Sequence, residues 1–178
     1  MNFVLLGPPG SGKSTQAKML ANLLNIPCLT VGNLLSYISK GDTKEGKEIK
    51  EAMEKGTLVD DDLTLKILNE QLKSSSYENG VVIDGFPRNV EQAQDFDFKL
   101  DKVLYINVTD EENKKRLLKR GRKDDTLDVV KRRLGVYYTE TKPVLDFYKE
   151  RGILLEVDGE REIEKIHKDI LEKLNLSS

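Results

Sequence analysis

An α/β sandwich, a parallel sheet with helices on both faces, is the fold class this sequence predicts, and three observations predict it. Short apolar runs alternate along the chain with longer stretches of helical spacing. The first apolar run passes directly into a glycine-rich turn and then a helical pattern, which is one strand–turn–helix unit. A length of 178 residues suits one core, so residues 1–178 are read as a single domain.

The elements follow in order. Phe3–Leu6 reads as the first strand, and Ala17, Leu20, Ala21 and Leu24 mark a helix that Pro27 ends. Cys28–Thr30 is a second strand. Helical runs cover Glu45–Lys55, closed by Gly56, and Asp62–Leu72, opened by acids that suit a helix N-terminus. Ser74–Ser76 reads as a surface loop. Val81–Asp84, Val103–Val108 and Leu154–Val157 supply three further strands, with a helix over Asp110–Arg120. A long helical stretch covers Thr126–Glu150, and Pro143 inside it predicts a kink or break. Ile163, Ile166, Ile170, Leu171 and Leu174 form the apolar stripe of a last helix, on which His167 is expected to be solvated.

Composition narrows the function classes. The chain is 34% charged with both signs mixed, and 38% hydrophobic, which excludes a membrane protein or a low-complexity tail. A net charge of −2 gives no basic field, and no basic stripe points to a nucleic-acid partner. Asn2–Leu6 is too short for a signal segment, and no apolar run approaches membrane-spanning length. The single cysteine, Cys28, excludes an internal disulfide and a multi-cysteine zinc site, and fits a reducing cytoplasm. It reads as a small buried side chain at a strand start. Nothing in the chain marks an interface, so a monomer is expected.

The segment Gly7-Pro8-Pro9-Gly10-Ser11-Gly12-Lys13-Ser14 has the full Walker A pattern between a strand and a helix. Glycines are needed there because the backbone must wrap phosphates with its N–H groups, in conformations a Cβ obstructs. The helix N-terminus adds partial positive charge. Lys13 is expected to reach the β- and γ-phosphates, and the Ser14 hydroxyl to ligate Mg²⁺. Asp84, a carboxylate at the C-terminal edge of an apolar strand, is the candidate for the other side of the Mg²⁺ site, partly through water.

Phosphate binding alone does not separate a kinase from a switch or an ATPase. Phosphoryl transfer needs cations around the moving group and exclusion of water. Arg88, Arg116, Arg120, Arg122 and Arg133 supply candidate cations, with Arg116 and Arg120 on one helix face. Arginine suits the task because its planar fork binds phosphate oxygens in pairs and stays charged.

Several segments together resemble adenylate kinases: Gly7–Thr15 with Gln16 and Ala17, Asp84-Gly85-Phe86-Pro87-Arg88, Gln92, Arg122-Lys123-Asp124-Asp125, Lys131-Arg132-Arg133-Leu134 and Val157-Asp158-Gly159. The resemblance runs from Met1 to about Leu174. It implies a P-loop three-layer fold with sheet order 2-3-1-4-5. A helical insert over residues 30–59 would hold the monophosphate, and a lid would cover ATP. By the same resemblance Gly10, Ser11, Gly12, Lys13, Ser14, Thr15, Arg116, Arg120 and Gly159 hold ATP. Val31, Ser36, Thr57, Leu58, Val59, Gly85, Arg88, Gln92, Arg122 and Arg133 form the AMP side. Lys13, Arg88, Arg120, Arg122 and Arg133 would surround the reaction centre. Asp124 and Asp125 match a hinge or arginine-positioning pair. Gln92 would read the adenine; Asn89 to Gln92 also has capping-box spacing, but the position after Pro87-Arg88 favours base recognition over capping alone.

Three departures from the family pattern stand out. Residues 121–124 pass directly where relatives carry a lid, leaving a vestige of one. Ser36 occupies the place of an arginine in the segment Val31-Gly32-Asn33-Leu34-Leu35-Ser36, a loss worth roughly 1.5–3 kcal/mol of monophosphate binding unless Lys40 compensates. Ser14 stands where a glycine is frequent. The expected reaction is reversible, Mg²⁺-dependent transfer from ATP to AMP, giving two ADP. The alternatives are a UMP/CMP or broad-specificity kinase, which Val31 and Ser36 favour, and a catalytically weak nucleotide sensor, which the arginines disfavour. A guanine switch is disfavoured because Asn113-Lys114-Lys115-Arg116 lacks the guanine-reading carboxylate.

Overall fold

A computed structural model describes residues 1–120 and 127–176, leaving aside the side chains of Arg120 and Leu127. Five strands form one all-parallel sheet: β1 (Asn2–Leu6), β2 (Cys28–Thr30), β3 (Val81–Asp84), β4 (Lys102–Asn107) and β5 (Leu154–Asp158). Their spatial order is β2-β3-β1-β4-β5, as the resemblance implied. Strands β1 and β3 are wholly or almost wholly buried, and so read as continuous apolar runs without alternation.

Helices cover both faces. Val4, Leu6, Ile83 and Val103 pack with Leu35, Ile49, Leu68 and Phe86 on one side. Phe3, Leu5, Val82, Leu104 and Ile106 pack with Ala17, Leu20, Ile166 and Ile170 on the other. The helices are α1 (Lys13–Leu24), α2 (Val31–Ile38), α3 (Lys44–Lys55), α4 (Asp61–Leu72), α5 (Val90–Asp95), α6 (Asp110–Arg120), α7 (Leu127–Val136), α8 (Val144–Glu150) and α9 (Ile163–Lys173). Their ends follow from local chemistry. Thr43 and Asp60 accept from the backbone N–H three residues on, capping α3 and α4, and Gly56 ends α3 in the left-handed region. None of the described helices is long and apolar enough to cross a membrane.

The structure revises or sharpens four expectations. The long stretch over 126–150 is two helices joined by a π-turn, Tyr137–Thr141, in which Lys142 donates its backbone N–H to Tyr137. Pro143 has no N–H to continue the ladder, so the widened turn precedes it and α8 starts after it. Ser74–Ser76 is the exposed surface connection expected, with a short 3₁₀ turn over Ser75–Tyr77 overlapping it. His167 is half-buried with Nδ1 enclosed and unpartnered, and this desolvation lowers its pKa; the packed side of α9 is wider than its apolar stripe. Cys28 begins β2 as expected but is half-buried, not buried, because β2 is an edge strand.

Candidate active site

The site lies at the C-terminal ends of β1 and β3, neighbouring parallel strands in which Leu5 faces Asp84. The phosphate loop, residues 7–12, leaves β1 and enters α1, whose first residue is Lys13. Gly10 and Gly12 both sit at φ +89°, the left-handed region that glycine enters without strain. Gly10 has a second constraint, since a Cβ there would come within 2.9 Å of the Leu117 side chain and 3.1 Å of the Asn113 carbonyl. The loop is closed by Ser11 N–H donating to the Pro8 carbonyl at 3.1 Å, and Lys13 Nζ reaches the same carbonyl at 3.3 Å. Ser14 and Thr15, in the first turn of α1, are exposed. Arg116 on α6 is held by Glu112 at 2.8 Å and reaches the Ser11 carbonyl at 3.4 Å, so it lies against the loop. Gly159, just past β5, packs tightly against β4: its N–H donates to the Asn107 carbonyl, and Ile106 and Val108 fill the space a Cβ would need.

Asp84 is 2% exposed, and its Oδ1 has no hydrogen-bond partner. A buried carboxylate oxygen left over beside a phosphate loop suits a hydrated cation. With the exposed Ser14 hydroxyl, it fits Mg²⁺ held mainly by nucleotide phosphates and water, since no cluster of three metal-ligating side chains occurs among the described residues.

Beside β3 opens a small pocket of about 60 Å³. Val31, Thr57, Leu58, Val59, Gly85, Arg88 and Gln92, all expected on the AMP side, line it together. Ser36 does not line it; it is half-buried on α2, and its carbonyl accepts from Ser39 Oγ. Arg88 lies along the cleft with its Nε donating to the Gly85 carbonyl at 2.9 Å. Although the side chain is exposed to the cleft, the protein packed around its guanidinium pushes the pKa down, Asp84 opposes that shift, and Arg133 adds to it. The group stays charged at neutral pH because arginine starts so high. The repulsion also places Arg133, on α7, within electrostatic range of Arg88. Arg122, Asp124, Asp125 and the vestigial lid at 121–124 lie outside the described residues, as does the side chain of Arg120.

Gln92 is buried and does cap α5 from within: its N–H donates to Asn89 Oδ1 at 2.8 Å, and its Oε1 accepts from Arg88 N–H at 2.8 Å. Its Nε2 donates to Asp61 at 2.6 Å. The capping role and the pocket-lining role thus coexist.

Sequence reasoning missed three contributors. Asp61 joins Asn89 and Gln92 across 28 and 31 residues of chain. Its position in an acidic run signalled only a helix start. Thr141, in the π-turn, donates to the Arg88 carbonyl at 2.7 Å, and no local motif marks it. Arg132 donates from α7 to the Lys55 carbonyl at 2.6 Å, tying the end of α3 to α7. Lys40, assigned one helical turn beyond Ser36, lies past the end of α2 and is exposed.

Comparison with known proteins decides which family this geometry serves. The adenylate kinase family profile matches residues 5–153. The chain belongs to the adenylate kinase family. It is 40% identical to an adenylate kinase of Leptospira biflexa serovar Patoc over 97% of this chain and 98% of that one. It is 41% identical to one of Corynebacterium urealyticum, covering 93% and 94% of the two chains. An adenylate kinase of Caldicellulosiruptor bescii aligns at 34% identity over 214 positions, more than the 178 residues present here, so that relative carries segments this chain lacks. Membership makes the protein an adenylate kinase enzyme with nucleoside monophosphate kinase activity on nucleotide substrates.

Proposed function

We propose that the protein catalyses reversible, Mg²⁺-dependent transfer of the γ-phosphoryl group from ATP to AMP, giving two ADP. One observation carries the reading: a phosphate loop and a pocket lined by Arg88, Gln92, Thr57 and Val59 open at the ends of two adjacent strands. ATP phosphates lie in the loop from Gly10 to Thr15, with Lys13 following the transferring group and Arg116 beside the donor nucleotide. Mg²⁺, when bound at Ser14 and near Asp84, neutralises charge on the β- and γ-phosphates. AMP enters the pocket with its phosphate on Arg88, its base towards Gln92, and Val31, Thr57, Leu58 and Val59 as walls.

A phosphate oxygen of AMP attacks the γ-phosphorus in line. The new P–O bond forms as the bond to the β-phosphate oxygen breaks, and ADP leaves as such. Arg88, Arg120, Arg122 and Arg133 spread the charge of the transferring group, and no residue is phosphorylated. The insert over 30–59 holds the acceptor, and residues 121–124 stand in for a lid. The chain acts as a cytoplasmic monomer.

A broader acceptor range is the second reading, favoured by the absence of Ser36 from the pocket and by the apolar Val31 in its wall. Initial rates of diphosphate formation from Mg·ATP with AMP, CMP, UMP, GMP or no acceptor separate the two. A rate specific to AMP supports the first, comparable pyrimidine rates support the second, and no transfer to any acceptor defeats both in favour of a sensor.

A further inference from the structure

The buried amide of Gln92 has its polarity fixed by chemistry. Its Oε1 faces the backbone N–H of Arg88 at 2.8 Å, a group that can only donate. Its Nε2 faces Asp61 Oδ1 at 2.6 Å, and an ionised carboxylate can only accept. Turning the amide over would set an NH₂ against an N–H and a carbonyl oxygen against a carboxylate, breaking both bonds. Nor can the carboxylate swing away readily, because Asn89 Nδ2 holds its other oxygen at 2.7 Å while Asn89 Oδ1 caps the turn carrying Gln92. One lone pair on Oε1 and one N–H on Nε2 remain for a ligand, and Gln92 lines the pocket.

We propose that Asp61 determines the base specificity of this enzyme as a positioning residue. By locking the Gln92 amide in one orientation, it makes the pocket accept 6-aminopurine monophosphates and refuse 6-oxopurines. The proposal rests on Gln92 as the base reader. A 6-aminopurine presents an amino donor beside a ring-nitrogen acceptor, which meets an amide oxygen and an amide N–H in the matching order. A 6-oxopurine presents a carbonyl acceptor beside a ring N–H, so the locked amide meets acceptor with acceptor and donor with donor. Refusal arises because neither mismatch can be relieved by rotation while Asp61 and the Arg88 N–H both hold. Asp61 touches no substrate in this scheme and acts only through Gln92.

The test measures initial rates with AMP and with inosine monophosphate for the unaltered protein, Asp61→Asn, Gln92→Ala and the double variant, with thermal melting as a control for folding. Asp61→Asn keeps the side-chain size but leaves one acceptor for two donors. The expected result is an AMP KM about tenfold higher, a similar fall in the AMP-over-IMP ratio of kcat/KM, and an unchanged KM for ATP. In the Gln92→Ala background, the same substitution should change neither quantity further. An unchanged ratio in a folded Asp61→Asn protein, or the same effect with Gln92 already removed, overturns the role of Asp61. A Gln92→Ala protein with unaltered AMP KM and AMP-over-IMP ratio overturns the base-reading assignment, and the proposal falls with it. Should Asp61→Asn not fold, Asn89→Ser retains a capping oxygen but frees one carboxylate oxygen; it should move the ratio in the same direction by less, and no movement rejects the proposal.

Discussion

The two halves of the cleft are built by different means. On the β1 side the work falls to backbone: two glycines in left-handed conformations, a helix N-terminus and one lysine, all within residues 7–14. On the β3 side it falls to side chains gathered from afar, with Arg88, Gln92, Asp61 and Thr141 joined by hydrogen bonds spanning up to 53 residues. A backbone cradle is indifferent to the base of its ligand. A side-chain network is the natural seat of acceptor choice. Substitutions should therefore affect turnover on the donor side and acceptor KM on the other.

Lys13→Ala should break the comparison most sharply if it fails. We expect kcat to fall by about 10²–10³, as for loss of a charge-stabilising donor, with the far-UV circular dichroism unchanged. Near-normal turnover would remove Lys13 from the chemistry. Arg88→Ala comes next: the AMP KM should rise about 10- to 100-fold while the ATP KM moves by less than about twofold, and equal rises in both would show that the halves are not separable. Gly10→Ala should cost about 1–2 kcal/mol in a thermal or urea melt, from its positive φ, and more if Leu117 cannot shift. If residues 121–124 stand in for a lid, as proposed, release of phosphate from ATP without an acceptor should be slow but measurable in a phosphate-release assay; none would mean that another element excludes water. The smallest effect is reserved for Lys40→Ala. An exposed cation beyond the end of α2 should raise the AMP KM by about two- to fivefold if it offsets Ser36, and an unchanged value rejects compensation.

The same contrast governs what the sequence made legible. The phosphate loop is contiguous, and its glycines answer to backbone geometry, so eight adjacent residues disclose it. Strands β2 and β3 were readable to the residue because their apolar runs are short and bounded by turn formers. Asp61 was not, since an acid in Asp60-Asp61-Asp62 looks like helix-start chemistry, and indeed Asp60 is the cap. Only the folded chain reveals that its neighbour turns inward to Asn89 and Gln92. Pro143 announced a break, but the form it took, a widened turn whose Thr141 hydroxyl steadies the Arg88 carbonyl, depends on what lies opposite. The Arg132 tie to Lys55 joins segments 77 residues apart and carries no local signature.

The adjacency of β1 and β3 also works as a ruler. Neighbouring strands are separated by about 4.8 Å, a spacing fixed by backbone hydrogen bonds and independent of side chains. The phosphate loop and the Gly85–Arg88 segment are both continuations of those strands, so the interval at which these two segments leave the sheet is set by the sheet itself. Chain length inserted between β2 and β3, or between α6 and α7, can then remodel the walls of the cleft without resetting that gauge. Such a gauge survives changes of length elsewhere in the chain, because it is written in the backbone of two paired strands.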